Sequence, residues 1–192
     1  MSKVTRELNH RLYVIKRLKS YLLKPQLKTV ANGIFISKLQ YCLNLFCPIR
    51  QKNSDPHPTD LKDLKIVYNK LLRTLTGNAI SDKISIKQML AEMNWSSINQ
   101  LSIQTRLEQA WKAIHIKDHP LASLFKMKEN NGYTLRNRES QFQQSIPSRL
   151  KERSFCYPTV RLWNNAPNFI KEAKSFKEAK KLIRKYSKNF PI

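Results

Sequence analysis

The chain has 192 residues, with 36 Lys and Arg against 13 Asp and Glu, for a formal net charge of +23. That length suits one domain or one main domain with a tail, and a 41% hydrophobic share supports a buried core, so wholesale disorder is excluded. Three glycines argue against a β-rich fold of tight turns and against a Gly-rich phosphate cradle, and three cysteines, an odd number, argue against a secreted disulfide scaffold.

Residues 3–24 are expected to form a helix, because Leu8, Leu12, Ile15, Leu18 and Leu22 recur at steps of three or four. Lys3, Arg6, Lys16, Arg17 and Lys24 fill much of the remainder, and Pro25 is expected to end the helix by removing a donor and crowding the turn before it. A second, more buried helix is expected over 27–46, with Gly33 and the β-branched cluster around Ile34 and Ile36 weakening it. Residues 47–59 carry three prolines and form a linker. A third helix over 60–76 follows, with Asp60 as a cap and Gly77 at the left-handed position beyond its end.

Three capping boxes come next. Ser85 with Gln88 opens a short helix through Met93, and Ser97 with Gln100 opens one through about Ile116, whose Ile103, Leu107, Ala110, Trp111 and Ile114 face the core. His119 and Pro120 end that run, and residues 128–150 read as a polar loop. Residues 154–163 are expected to be a short strand or an extended packing segment. Ser175 with Glu178 then opens a last helix, with a Phe176, Ala179, Leu182, Ile183 and Tyr186 stripe surrounded by lysines. The expected fold class is therefore all-α: a multi-helix bundle with a Pro-rich linker, a polar loop and one short extended segment.

Catalytic signatures are missing. Two-metal phosphoryl chemistry needs clustered carboxylates. Asp60 and Asp63 lie one turn apart, but in a helix's first turn, where carboxylates favour the helix dipole. Cys42, Cys47, His115 and His119 are zinc-ligand residue types in two pairs far apart in the sequence, and a buried thiol with helix-end histidines accounts for them better. Cys156 is taken as structural. No metal or cofactor is expected.

Charge carries the functional signal. Residues 1–50 hold ten Lys and Arg against the single acid Glu7, and residues 151–192 hold eleven against three. Such ends predict an anionic partner, with nucleic acid first, because its phosphates are dense and its released counterions drive binding. The candidate contacts are Lys3, Arg6, Arg11, Lys16, Arg17, Lys19, Lys24 and Lys28, then Lys180, Lys181, Arg184 and Lys185. Arg136 and Arg138 beside Tyr133 form either a stacking and phosphate-forking loop or an ordinary polar one. Trp163 and the Asn-Asn-Ala-Pro after it read as a core anchor and a turn. No apolar run reaches the ~18 residues of a membrane span. With no secretory signal in the first 24 residues, an intracellular protein of nucleus or cytoplasm is expected.

The order RELNHRLYVIKRLKSYL, GIFISKLQYCLNLF, DLKIVYNKLLRTLTGN, and the close TVRLWNNAP with FIKEAKSFKEAKKLI, resembles the region downstream of the catalytic core in reverse transcriptases of non-LTR retrotransposons of the jockey-like and CR1-like kind. The resemblance spans nearly the whole chain. It implies a thumb-like basic helical hairpin over 1–46 followed by a helical C-terminal region; the residues themselves divide the remainder into a linker over 47–59, a helical region over 60–127, a polar loop over 128–150, and an extended segment plus a basic C-terminal helix over 151–192. It also implies upstream polymerase domains as partners. The family's aromatic-x-Asp-Asp motif is not in the sequence, which holds no Asp-Asp pair, so the chain is expected not to be an enzyme on its own. The implied function is that of a nucleic-acid-binding fragment of an RNA-directed DNA polymerase. The alternative is a relic or domesticated protein-interaction module.

Overall fold

A computed structural model describes residues 3–46, 59–125, 142 and 156–190. The chain is an all-α multi-helix bundle, in two compact units of Met1–Leu101 and Ser102–Pro191. No helix among the described residues is long and apolar enough to cross a membrane.

In the first unit, α1 (Lys3–Leu18) buries Thr5, Leu8, Leu12 and Ile15, at the steps of three and four that place them on one face. It packs chiefly on α4 (Thr59–Thr76), whose Leu64, Val67, Tyr68, Leu71, Leu72 and Leu75 complete the seam. Between them, α2 (Lys24–Ala31), a π-helical stretch (Asn32–Ile36) and α3 (Ser37–Phe46) follow without a break and bury Leu27, Ala31, Phe35, Leu39 and Leu43. Helix α5 (Ile86–Met93) closes this core with Met89, Leu90 and Met93, beside Ile98 and Leu101. Tyr68 donates its hydroxyl to Ser96 O at 2.7 Å, which satisfies the one polar atom of a buried ring.

The first helix is shorter than the leucine period indicates. It ends at Leu18, where Tyr21 and Leu22 N–H both turn back to Leu18 O and Ser20 Oγ donates to Arg17 O. Pro25 therefore does not end a helix; it sits in the first turn of α2, where a missing N–H costs nothing. Gln26 Oε1 accepts from Leu23 N–H at 3.1 Å and serves that start in place of a hydroxyl cap. Helix α4 opens at Thr59, so Asp60 lies inside its first turn and not ahead of it. At the other end, Gly77 adopts φ 84° and donates to Arg73 O at 2.9 Å, the left-handed terminus expected of it.

The boxes at Ser85/Gln88 and Ser97/Gln100 form in both directions, with each serine hydroxyl accepting from the glutamine N–H and each glutamine oxygen accepting from the serine N–H. Ser97 opens α6 (Ile98–His115). The division between the units falls within this helix.

In the second unit, α6 contributes Leu107, Ala110 and Trp111 to a core with Phe125, Phe142, Val160, Trp163, Ile170, Ala179 and Ile183. Residues 156–163 are not extended: Cys156–Asn164 is a helix, α7. Pro158 is its third residue, where the N–H has no intrahelical partner anyway, and buried Thr159, Val160, Leu162, Trp163 and Ala166 follow a helical period. The turn expected after Trp163 is present, with Ala166 N–H donating to Trp163 O at 3.0 Å. Asn164 adds a clamp: its amide donates to Phe142 O and accepts from Phe142 N–H, both at 3.0 Å, as a backbone partner would. A single turn, α8 (Asn168–Lys171), leads to α9 (Phe176–Ser187). The third box is half formed, since Ser175 Oγ caps Glu178 N–H while the Glu178 carboxylate accepts from Lys174 N–H, one residue early.

Two glycines allow a sharp test. Gly33 lies within a helix and Gly77 at a positive φ, and at neither would a Cβ come within 4 Å of an atom beyond the adjoining residues and, for Gly33, the backbone of its own helix. In urea unfolding, Gly33→Ala raises stability by about 0.5–1 kcal/mol through helix propensity and chain entropy, whereas Gly77→Ala lowers it by about 1–2 kcal/mol through backbone strain alone. Effects of the same sign would contradict the backbone described.

Candidate nucleic-acid interface

On α1, the buried stripe fixes what faces out. Lys3, Arg6, His10, Tyr13 and Arg17 succeed one another at steps of three and four opposite that stripe, and all five are exposed. Lys16, Lys19 and Lys24 are exposed as well. No carboxylate among the described residues pairs with Lys16, Arg17, Lys19 or Lys24. The acid of this helix, Glu7, is engaged by Lys38 at 2.7 Å, which holds its carboxyl below the usual range and Lys38 above its own.

Two of the expected contacts differ from the rest. Arg11 is half-buried, and its guanidinium donates to Ile34 O in the π-helical stretch, so it ties α1 to the following helix. Lys28 is half-buried on α2. Tyr13, Tyr21 and Tyr41 stand out as large exposed aromatics of this unit. The signal for both Tyr13 and Tyr21 lies in the sequence, since each falls outside the leucine period; that Tyr21 sits in a turn and not on the helix follows from the end of α1 at Leu18.

On α9, Lys177, Lys181, Arg184 and Lys185 are exposed on the face opposite Ala179 and Ile183, and Lys188, the residue just past its end, is exposed as well. Lys177/Lys181 and Lys181/Lys185 are like charges at i,i+4, each unfavourable by about 0.2–0.5 kcal/mol. Lys180 is half-buried. Arg136 and Arg138 lie outside the described residues.

Beneath this face the chain is anchored by polar and aromatic contacts. Gln104 Nε2 donates to Ser187 Oγ at 2.7 Å, and Arg106, buried, donates to Thr159 Oγ1 at 3.2 Å. The His115 ring stacks on Trp111 at 4.4 Å, and Lys112 Nζ sits 4.5 Å from the Phe176 ring centre. Lys171 donates to Asn164 O at 3.0 Å, and burial pulls its pKa down.

The zinc-type residues are occupied otherwise. Cys42 is buried in the first unit, where burial raises its thiol. His115 has Trp111 O and Lys171 O each 3.0 Å from one of its ring nitrogens, and His119 Nδ1 accepts from Leu121 N–H. Cys47 lies outside the described residues. Among the described residues, no three His, Cys, Asp or Glu side chains converge as a metal site.

Comparison with protein families, with curated proteins and with solved structures gives no match.

Glu108, half-buried on α6, gives the second unit a pH signature. Burial raises its carboxyl pKa, and Lys180, Arg184 and Lys112 only partly oppose that. The folded unit thus holds this proton more tightly than the unfolded chain. Between the ordinary value of 4.5 and the raised one, stability falls as pH rises. Glu108→Gln is therefore expected to raise the melting temperature at pH 7, with the gain shrinking to nothing as pH drops below the ordinary value. A loss at pH 7 would mean that the three cations outweigh burial.

Proposed function

We propose that this chain binds nucleic acid by its phosphates, as the helical region following the catalytic core in a non-LTR retrotransposon reverse transcriptase. The observation that carries the binding is that each unit presents an outward cationic face on an amphipathic helix, α1 in one and α9 in the other. Such faces favour an anion with regularly spaced charge, since every phosphate bound releases counterions and relieves repulsion between neighbouring lysines. The placement in a reverse transcriptase rests on the sequence resemblance, from RELNHRLYVIKRLKSYL to the Leu162-Trp163-Asn164 close. In that reading the chain grips template and primer and leaves the chemistry to upstream polymerase domains.

The test is fluorescence anisotropy with labelled hairpin RNA and duplex DNA from roughly 50 to 200 mM salt, the range over which six to ten phosphate contacts cost about 10³–10⁵ in affinity. Both ligands are expected to bind with little sequence preference and to lose affinity steeply as salt rises. Reversing Arg6, Lys16, Arg17 and Lys19 to Glu weakens both and flattens the log–log slope by up to ~0.9 for each phosphate no longer neutralised. An unchanged slope removes α1 from the interface. No binding at the lowest salt overturns the reading and leaves a protein-interaction module in its place.

A further inference from the structure

The cations account for affinity, but not for the aromatic rings set among them. Tyr13 is 58% exposed and Tyr21 83% exposed, each on a ring that is hydrophobic over most of its surface. The contrast is Tyr68 of the same unit, which is buried with its hydroxyl paired. Leaving two tyrosines in water forfeits burial that the core could have used. Tyr13 lies in the cationic stripe of α1, with the Arg17 guanidinium 5.9 Å from its ring centre. Tyr21 lies in the turn immediately after, between Lys19 and Lys24.

We infer that the C-terminal half of α1 and the turn after it form a single-strand site, in which unpaired bases stack on Tyr13 and Tyr21 while Lys16, Arg17, Lys19 and Lys24 hold the adjoining phosphates. This rests on the nucleic-acid reading above and narrows its substrate. A duplex keeps its bases stacked on one another and offers a protein only edges and backbone. An aromatic platform needs a base that is free to leave the stack. Exposed rings interleaved with cations that no carboxylate engages are what such a strand recognises, and stacking is tolerant of sequence because every base has a π-face.

Tyr41 supplies an internal comparison. It is 67% exposed, and Lys38 lies 5.9 Å from its ring centre, but that lysine is already paired with Glu7, whose carboxylate repels a phosphate. Exposure is shared by all three rings, whereas the cation at the Tyr13 ring, Arg17, and the lysines that flank Tyr21 in sequence, Lys19 and Lys24, have no acidic partner among the described residues.

The experiment measures binding of labelled oligo(dT) and oligo(rU) against a hairpin duplex of matched charge, for the full chain and for four variants. Tyr13→Ala/Tyr21→Ala is expected to weaken the single strands on the order of tenfold or more, from the usual worth of base–aromatic stacking, with duplex affinity and salt slope unchanged. Tyr13→Phe/Tyr21→Phe keeps the rings and so keeps wild-type binding. Tyr41→Ala leaves both ligands unaffected. Lys16→Gln/Lys19→Gln weakens single strand and duplex together and flattens the salt slope. Circular dichroism checks that each variant is folded, as expected for exposed positions. An equal loss on duplex and single strand, or no loss on either from the double alanine variant while wild type binds both, overturns the single-strand site and leaves the phosphate reading standing. An equal loss from Tyr41→Ala also overturns it. Wild type that binds neither ligand overturns both.

Discussion

The rotation of α1 about its own axis is set by one seam, in which Leu8, Leu12 and Ile15 are buried against the leucines of α4. Each such side chain contributes roughly 1.5–3 kcal/mol on burial. Like charges crowded on the opposite face cost only a few tenths of a kcal/mol per pair. Burial therefore wins by an order of magnitude, and the helix turns its cations outward whether or not an anion is present. The consequence is geometric: Lys3, Arg6, His10, Tyr13 and Arg17 are held on one outward line by residues buried on the opposite face.

The second unit repeats the principle with different materials. Ala179 and Ile183 bind α9 to its core, and the small Ser187 is engaged by Gln104 instead of by apolar contact. The aromatic set of Trp111, His115, Trp163 and Phe176 gives α6 stiff, flat partners. Asn164 holds the backbone of Phe142, whose ring meets Phe125 edge-on at 5.4 Å. The lysines of α9 are then presented on a helix whose inner side is fixed both by packing and by a buried hydrogen bond.

How far the sequence discloses this depends on the range of the interaction. The boxes at Ser85 and Ser97, and the left-handed Gly77, are settled within four residues, so they are legible from local spacing. The end of α1 is not. The leucine period runs on through Leu22, but the hydrogen bonds stop at Leu18, and Pro25 suits the start of a helix as well as it forbids the middle of one. The same ambiguity misleads at Pro158, where proline and β-branched neighbours suggest an extended segment and the structure has a helix. The Arg11 bond to Ile34 O, the burial of Arg106 and the Asn164 clamp join residues more than 20 positions apart, and no local pattern announces them. Of the site, the exposed cations are readable from charge and period together, whereas the role of Arg11 as a tie and the placement of Tyr21 in a turn both needed the fold.

The central claim is that binding belongs to particular helical faces and not to a diffuse charge of +23. Lysine acetylation read by mass spectrometry, with and without saturating oligonucleotide, tests it most directly. Lys16, Lys19, Lys181 and Lys185 are expected to become protected, while Lys70, Lys87 and Lys117, also exposed but outside those faces, keep their reactivity. Uniform protection of all seven, or protection confined to the last three, would contradict the account.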